Sequence, residues 1–316
     1  MSPYGTDRGR YCPVLTCEQQ VLGISRPQCR DCYRDGVHAV RIVITGGSSG
    51  VGKATAAALA AAGHSVMIAA RTVPKAERAA ADMVGDVQVR RLDLADLASV
   101  RAFADSVESI DVLINNAGVL GLPLTRTIDG FETHMGTNHL GHFALTCLLA
   151  EKITDRVVSV ASSAHAAASI HLDDLNWHTR KYSMAGAYAQ SKLANMRFVG
   201  ELARRGVRAY ASDPGLAQSD ITRDSAGWLR WFGRHLRCVQ QSAPHAARAS
   251  VEASTTDLPS ETYLAPRLHL WGKPTVTEPH KKGRDPETAR SLWELSAELT
   301  GCDWQGIPRT QDTPNV

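Results

Sequence analysis

The chain alternates short apolar, β-branched runs with longer stretches of helical spacing. Val40 to Ile44, Ser65 to Ala70, Val87 to Leu92, Asp111 to Ile114, Arg156 to Val160 and Val207 to Ala211 read as strands. Between them lie stretches of helical character: Ala54 to Ala62 closed by Gly63, Pro74 to about Val84, Leu97 to Val107, Phe131 to Leu149 and Met184 to Arg205. Later in the chain, Ser242 to Ala253 reads as a helix, and Asp285 caps a last one that has Pro286 in its first turn and ends at Gly301. Strand and helix in alternation predict a parallel sheet with helices on both faces, and such sheets bind ligands beyond the carboxyl ends of their strands. Gly46, Arg71, Asp93, Asn116, Ser163 and Pro214 all fall at such ends.

The turn after the first strand is Thr45-Gly46-Gly47-Ser48-Ser49-Gly50-Val51-Gly52. A strand, a glycine turn and a helix former in this order are what a dinucleotide loop requires. Without a Cβ at 46, 50 and 52 the backbone can turn tightly, admit a pyrophosphate, and pack helix on strand, with the phosphates at the positive helix N-terminus. The spacing is GxxxGxG, not the GxGxxG of the long-chain fingerprint. The second strand carries no acid and is followed by Arg71, which suits a 2′-phosphate better than a free ribose hydroxyl. NADP(H) is therefore the expected cofactor, with Thr72 and Lys75 as helpers.

Further on, Tyr188 and Lys192 stand four residues apart in a helical stretch and so share one face. A unit charge about 4 Å away at an effective dielectric near 20 is worth about 4 kcal/mol, roughly three pKa units, which would bring a phenol toward working pH. Tyr182 is not the equivalent residue, because position 186 is Gly.

Together these motifs resemble the short-chain dehydrogenase/reductase family over about residues 39 to 302. TGxxxGxG, Asn115-Asn116-Ala117-Gly118, the helical Asn138, a strand-end serine, YxxxK and Pro214-Gly215 arrive in the family's order. Ser162-Ser163-Ala164-His165 and the closing stretch Arg284 to Glu294 resemble the branch that contains retinol dehydrogenases. The resemblance implies an α/β fold, a single-domain Rossmann-type doubly wound parallel sheet with helices on both faces. It implies that Tyr188 is the general acid in carbonyl reduction and the base in alcohol oxidation, and that Lys192 tunes the phenol and holds the nicotinamide ribose. A serine bonds the reacting oxygen; alternation and resemblance favour Ser163 over Ser162. Asn138 holds a water linking Lys192 to solvent. Thr45, Gly46, Ser48, Ser49, Gly50, Val51 and Gly52 cradle the pyrophosphate, and Arg71 takes the 2′-phosphate. Asp93 and Leu94 border the adenine, while Asn116 and Ala117, continued by Gly118, line its ribose. Pro214 and Gly215 lie at the nicotinamide. Leu216 departs from the family's usual threonine there, which shifts the expected amide contact to the Ala217 backbone.

The implied function is an NADP(H)-dependent oxidoreductase acting on a small lipophilic carbonyl or alcohol; the resemblance also allows a homo-oligomer. Two alternatives stand beside it: a carbon-carbon double bond reductase of protochlorophyllide reductase type, and a non-catalytic nucleotide sensor on the same fold. Intact Ser163, Tyr188 and Lys192 count against a sensor.

Composition narrows the picture little further. At 316 residues, 43% hydrophobic and 21% charged, one large core suffices. A net charge of +3 is too small and dispersed for a nucleic-acid partner. No apolar run reaches membrane-spanning length, and the start lacks the apolar stretch of a signal peptide. Seven cysteines, with Cys147, Cys238 and Cys302 scattered, fit a reducing cytoplasm rather than a disulfide framework.

Residues 1 to 38 stand outside the alternating pattern. They read as a disordered extension or an early start site, since Val37 just precedes the first strand; Cys12, Cys17, Cys29 and Cys32 could form a four-thiolate zinc site, although no metal is expected in the 39 to 302 domain. The stretch from about 216 to 240 is the expected substrate lid. Within 228 to 237, Trp228, Leu229, Trp231, Phe232 and Leu236 alternate with Arg230, Arg234 and Arg237, which suits a lid over a lipophilic substrate, peripheral contact with a membrane, or a core-packing helix. Residues 303 to 316 form a C-terminal tail.

Overall fold

β-Branched and apolar residues without a breaker form β1 (Arg41–Thr45), and the computed structural model continues from it through β2 (Ser65–Ala70), β3 (Val87–Arg91), β4 (Ile110–Asn115), β5 (Ile153–Val160) and β6 (Arg208–Ser212). Two further strands follow, β7 (Tyr263–Pro266) and β8 (Pro274–Thr277). The structure describes residues 39–217, 241–267 and 272–305. The four N-terminal cysteines, the basic amphipathic stretch 228 to 237 and most of the tail lie outside the described residues. By contacts the chain divides into Met1–His38 and Ala39–Val316, and only the second unit is described below.

The sheet order is β3-β2-β1-β4-β5-β6-β7-β8. Every neighbouring pair is parallel except β7 with β8, so the sheet is mixed at one edge, where a purely parallel one was expected. Chain order reverses between β1 and β4, which opens a crevice at their carboxyl ends. Alternate residues of β1 feed opposite cores, as the period of a strand requires. Val43 packs with Leu113, Phe143, Phe198 and Trp293 on one face, and Ile42 and Ile44 with Leu59, Tyr210 and Leu264 on the other. Each large apolar side chain so buried is worth about 1.5 to 3 kcal/mol.

The first face is covered by α3 (Leu97–Ser106), α5 (Gly141–Leu148), α6 (Met184–Arg204) and α8 (Pro286–Thr300), the second by α1 (Gly50–Ala61), α2 (Val73–Ala81) and α7 (Ala243–Thr255). The expected helix from Phe131 to Leu149 is broken into α4 (Thr133–Met135), a π turn (Gly136–Leu140) and α5. Glu132 caps it, accepting from His134 N and Met135 N, and so keeps Phe131 outside the helix. No described helix is long and apolar enough to cross a membrane.

Candidate active site

The glycine turn follows β1 at the mouth of the crevice. Gly46 has φ of 72°, and a Cβ there would come 2.9 Å from Ala117 Cα; a Cβ on Gly52 would overlap Asn116 Nδ2 and Gly46 O. Ser49 is the N-cap of α1 in an extended conformation with no side-chain cap, and the first turn carries no acid. The opening amides of this 12-residue helix are thus left for an anion, which is the fit a cofactor pyrophosphate needs. Ser48, Ser49 and Gly50 are half-buried along the turn, whereas the Val51 side chain packs on Ala246 and Ala247, so its contribution there is its backbone.

Thr45 joins this turn to the loop after β4. Its hydroxyl accepts from Asn116 N and Ala117 N, each at 2.9 Å, and lies 2.8 Å from His142 Nε2. The Asn116 side chain donates to Thr45 O at 2.7 Å, so it braces the glycine turn instead of standing free at a ribose. Gly118 continues the loop alongside Lys192: a Cβ there would sit 3.8 Å from Lys192 Nζ. At the neighbouring strand ends Arg71 is exposed, and Asp93 is half-buried with Oδ1 accepting from Ala95 N at 3.1 Å. Leu94 is a correction in part. Its side chain is in the core against Gly141 and leaves only backbone for an adenine.

Ser183 caps α6 by accepting from Gly186 N, and the helix turns Tyr188 and Lys192 toward the end of β5. Lys192 is 3% exposed and donates to Val160 O at 2.9 Å, with Nζ 5.9 Å from the Tyr188 ring centroid. The Ser162 side chain acts on the buried Tyr188 phenol, lowering its pKa against the larger effect of burial. Ser163, the expected partner, opens the 3-10 turn Ser163–Ala167, for which Ser162 is the N-cap. The strand ends at Val160, so the alternation that favoured Ser163 does not extend to it.

Burial, eased by the Ser162 side chain, pushes the Tyr188 phenol up to about 12, and burial lowers Lys192 to about 8 against the opposing pull of Asp213. The expectation that Lys192 would bring the phenol toward neutrality is not met in this site. One of the three ammonium hydrogens goes to Val160 O, and burial is the largest influence on the phenol.

Asn138 lies in the π turn with every side-chain donor and acceptor engaged by protein. Oδ1 accepts from Val119 N at 2.8 Å, and Nδ2 donates to Val119 O at 3.1 Å and Ser191 Oγ at 2.9 Å. Its carbonyl accepts from His142 Nδ1 at 3.0 Å. Asn138 thus braces the loop after β4 against α6. Beyond β6, Gly215 N donates to Asp213 Oδ1, and Gln241 pins the turn by donating to Leu216 O at 2.7 Å and Pro214 O at 3.2 Å. Ala217 bridges Gln241 at the last described position before residue 218.

A profile of the family described as short chain dehydrogenase matches residues 40–229. The chain belongs to the short-chain dehydrogenase/reductase family. Within it the protein is retinol dehydrogenase-like. It is 40% identical to human retinol dehydrogenase 12, covering 92% of this chain and 98% of that one, and 36% identical to human retinol dehydrogenase 13, covering 86% and 88%. A crystal structure of an uncharacterised protein from Mycobacterium paratuberculosis is 44% identical with a TM-score of 0.75, over 84% of this chain and 94% of that one.

This short-chain dehydrogenase/reductase also brings residues to the site that no sequence motif marked. Glu132 and His134 are fully buried 2.7 Å apart, and Tyr182 donates to Glu132 Oε1 at 3.0 Å and Leu122 O at 3.1 Å. This cluster ties the loop after β4 to the approach of α6, and His134 meets the Tyr188 ring edge-on with centroids 6.4 Å apart. His165 Nδ1 donates to Ser162 O at 2.7 Å while Nε2 accepts from His280 N at 3.2 Å, fastening the serine loop to the segment before α8. Only the Ser-Ser-Ala-His run hinted at the last of these.

Proposed function

We propose that the protein is an NADP(H)-dependent oxidoreductase that moves a hydride between the nicotinamide and a lipophilic carbonyl/alcohol pair. The observation that carries this reading is the assembly of Ser162, Tyr188 and Lys192 between the end of β5 and α6, at the same carboxyl edge of the sheet as the uncapped N-terminus of α1. The cofactor, when bound, supplies or accepts the hydride. Ser162 and Tyr188 hold the substrate oxygen between their hydroxyls. In reduction Tyr188 gives its proton to the developing alkoxide, and in oxidation the phenolate takes it back. A phenol held at about 12 stays protonated until it meets so strong a base. Lys192, fixed through Val160 O, stabilises the phenolate and keeps its remaining donors for the ribose. Exposed Arg71, at the end of a strand without an acid, supports NADP(H) over NAD(H). The names of the retinol dehydrogenase relatives support a lipophilic substrate.

A panel of lipophilic aldehydes, ketones and alcohols, read by nicotinamide absorbance with both cofactors, tests this. Carbonyl reduction with NADPH is the expected result. Cofactor binding without turnover of any substrate would favour a sensor, and loss of a conjugated double bond with the carbonyl intact would favour the double bond reductase.

A further inference from the structure

Asp213 is a buried carboxylate that the proposed mechanism leaves unused. It is 1% exposed, and its two oxygens accept from neutral donors: Gly215 N at 2.8 Å on Oδ1 and Tyr263 OH at 2.7 Å on Oδ2. Among the described residues it makes no ion pair. A buried charge held only by neutral groups is costly unless another charge lies within reach.

Strand register brings Lys192 to the same strand ends. Val160, whose carbonyl receives Lys192 Nζ at 2.9 Å, pairs with Ser212 across β5 and β6. Asp213 directly follows β6, beside Ala161 and Ser162, because Ala161 N donates to Ser212 O at 2.8 Å. Its carboxylate acts on both working groups, raising the affinity of Lys192 and of Tyr188 for their protons. His142, the other titratable group that feels Lys192, is held neutral, with its pKa lowered to about 4, chiefly by burial. Tyr263 is fixed in turn by backing edge-on against His165, with ring centroids 5.7 Å apart.

The oxidised nicotinamide ring carries a positive charge and the reduced ring is neutral. An ammonium beside the ribose therefore opposes the oxidised form selectively, and a carboxylate at the same strand ends offsets that. We infer that Asp213 is the fixed counter-charge of this site, cancelling Lys192 and holding the oxidised cofactor more tightly relative to the reduced one than an uncharged residue would. The inference rests on the proposed cofactor reading.

The test compares dissociation constants of NADP+ and NADPH, by calorimetry on the full chain, for the wild type, Asp213→Asn and Tyr263→Phe. In Asp213→Asn the affinity for NADP+ should fall relative to NADPH by about tenfold or more, the size expected of a unit charge several ångströms away at an effective dielectric near 20. Tyr263→Phe removes a hydrogen bond but no charge, and should leave the ratio within about twofold. If Asp213→Asn does not fold, Asp213→Ser provides a smaller neutral acceptor for Gly215 N. Equal weakening of both forms, or an unchanged ratio, would overturn the counter-charge while leaving the cofactor reading intact. A wild type that binds neither form would remove both.

Discussion

The Thr45 hydroxyl and His142 Nε2 lie 2.8 Å apart, and the surrounding bonds fix the proton between them. Thr45 Oγ1 already accepts from Asn116 N and Ala117 N, so its one hydrogen goes to Nε2, the near acceptor; Ile114 O is 3.4 Å away. His142 must then carry its hydrogen on Nδ1 and give it to Asn138 O. The glycine turn, the loop after β4 and the π turn are thus joined through one neutral imidazole.

Acid should weaken this arrangement as pH falls from 6.5 toward 4. Burial lowers His142 from 6.5 to about 4 and His139 to about 3. Because these folded-state values lie below the unfolded one, the unfolded chain takes up more protons in that window. Stability is then complete above 6.5 and falls as pH drops toward 4. A full pH unit of one such shift is worth about 1.4 kcal/mol, so urea unfolding should show a loss of about 2 kcal/mol or more between pH 6.5 and 4.5. Flat stability across that range would contradict the buried neutral histidines.

Cofactor choice is the next expectation. Arg71 is exposed at the end of β2, and no acid stands on that strand. NADPH should bind about tenfold or more tightly than NADH, the worth of a charge-assisted phosphate contact, and Arg71→Asp should narrow or reverse the gap. Equal affinities in the unmutated protein would rule out this use of Arg71.

The two adjacent serines separate cleanly by substitution. Ser162→Ala removes the hydroxyl that lowers the Tyr188 pKa and should cost turnover about tenfold or more, with cofactor affinity little changed. Ser163→Ala, one residue into the 3-10 turn, should keep most of the rate. The reverse ranking in kcat would restore Ser163 to the role that sequence alone favoured.

What the sequence revealed followed from periodicity and punctuation. Six strands, the glycine turn and α6 were legible because apolar period, glycines and caps agree; Asp285 does accept from Glu287 N and Thr288 N, and Gly301 does take a positive φ of 61°. β7 and β8 escaped because four residues each, ended or begun by proline, show no alternation. The π turn around Asn138 is set by side-chain bonds to Val119 and Ser191, far away in sequence. The turn at Ser162 and Ser163 was not legible because the chain leaves the strand at Val160, three residues before Ser163. Asp213 stood in view within a recognised motif, but its burial and its neighbours Tyr263 and Lys192 come from the tertiary fold.

The proton donor bears the whole account. Tyr188→Phe keeps the ring against His134 and removes only the hydroxyl, so steady-state turnover and NADPH affinity should be measured together on the same preparation. Turnover should fall by about a hundredfold or more, the usual worth of a positioned general acid, while NADPH affinity stays within about twofold. A variant that retained more than about a tenth of the wild-type rate would contradict the assignment of Tyr188 as the acid.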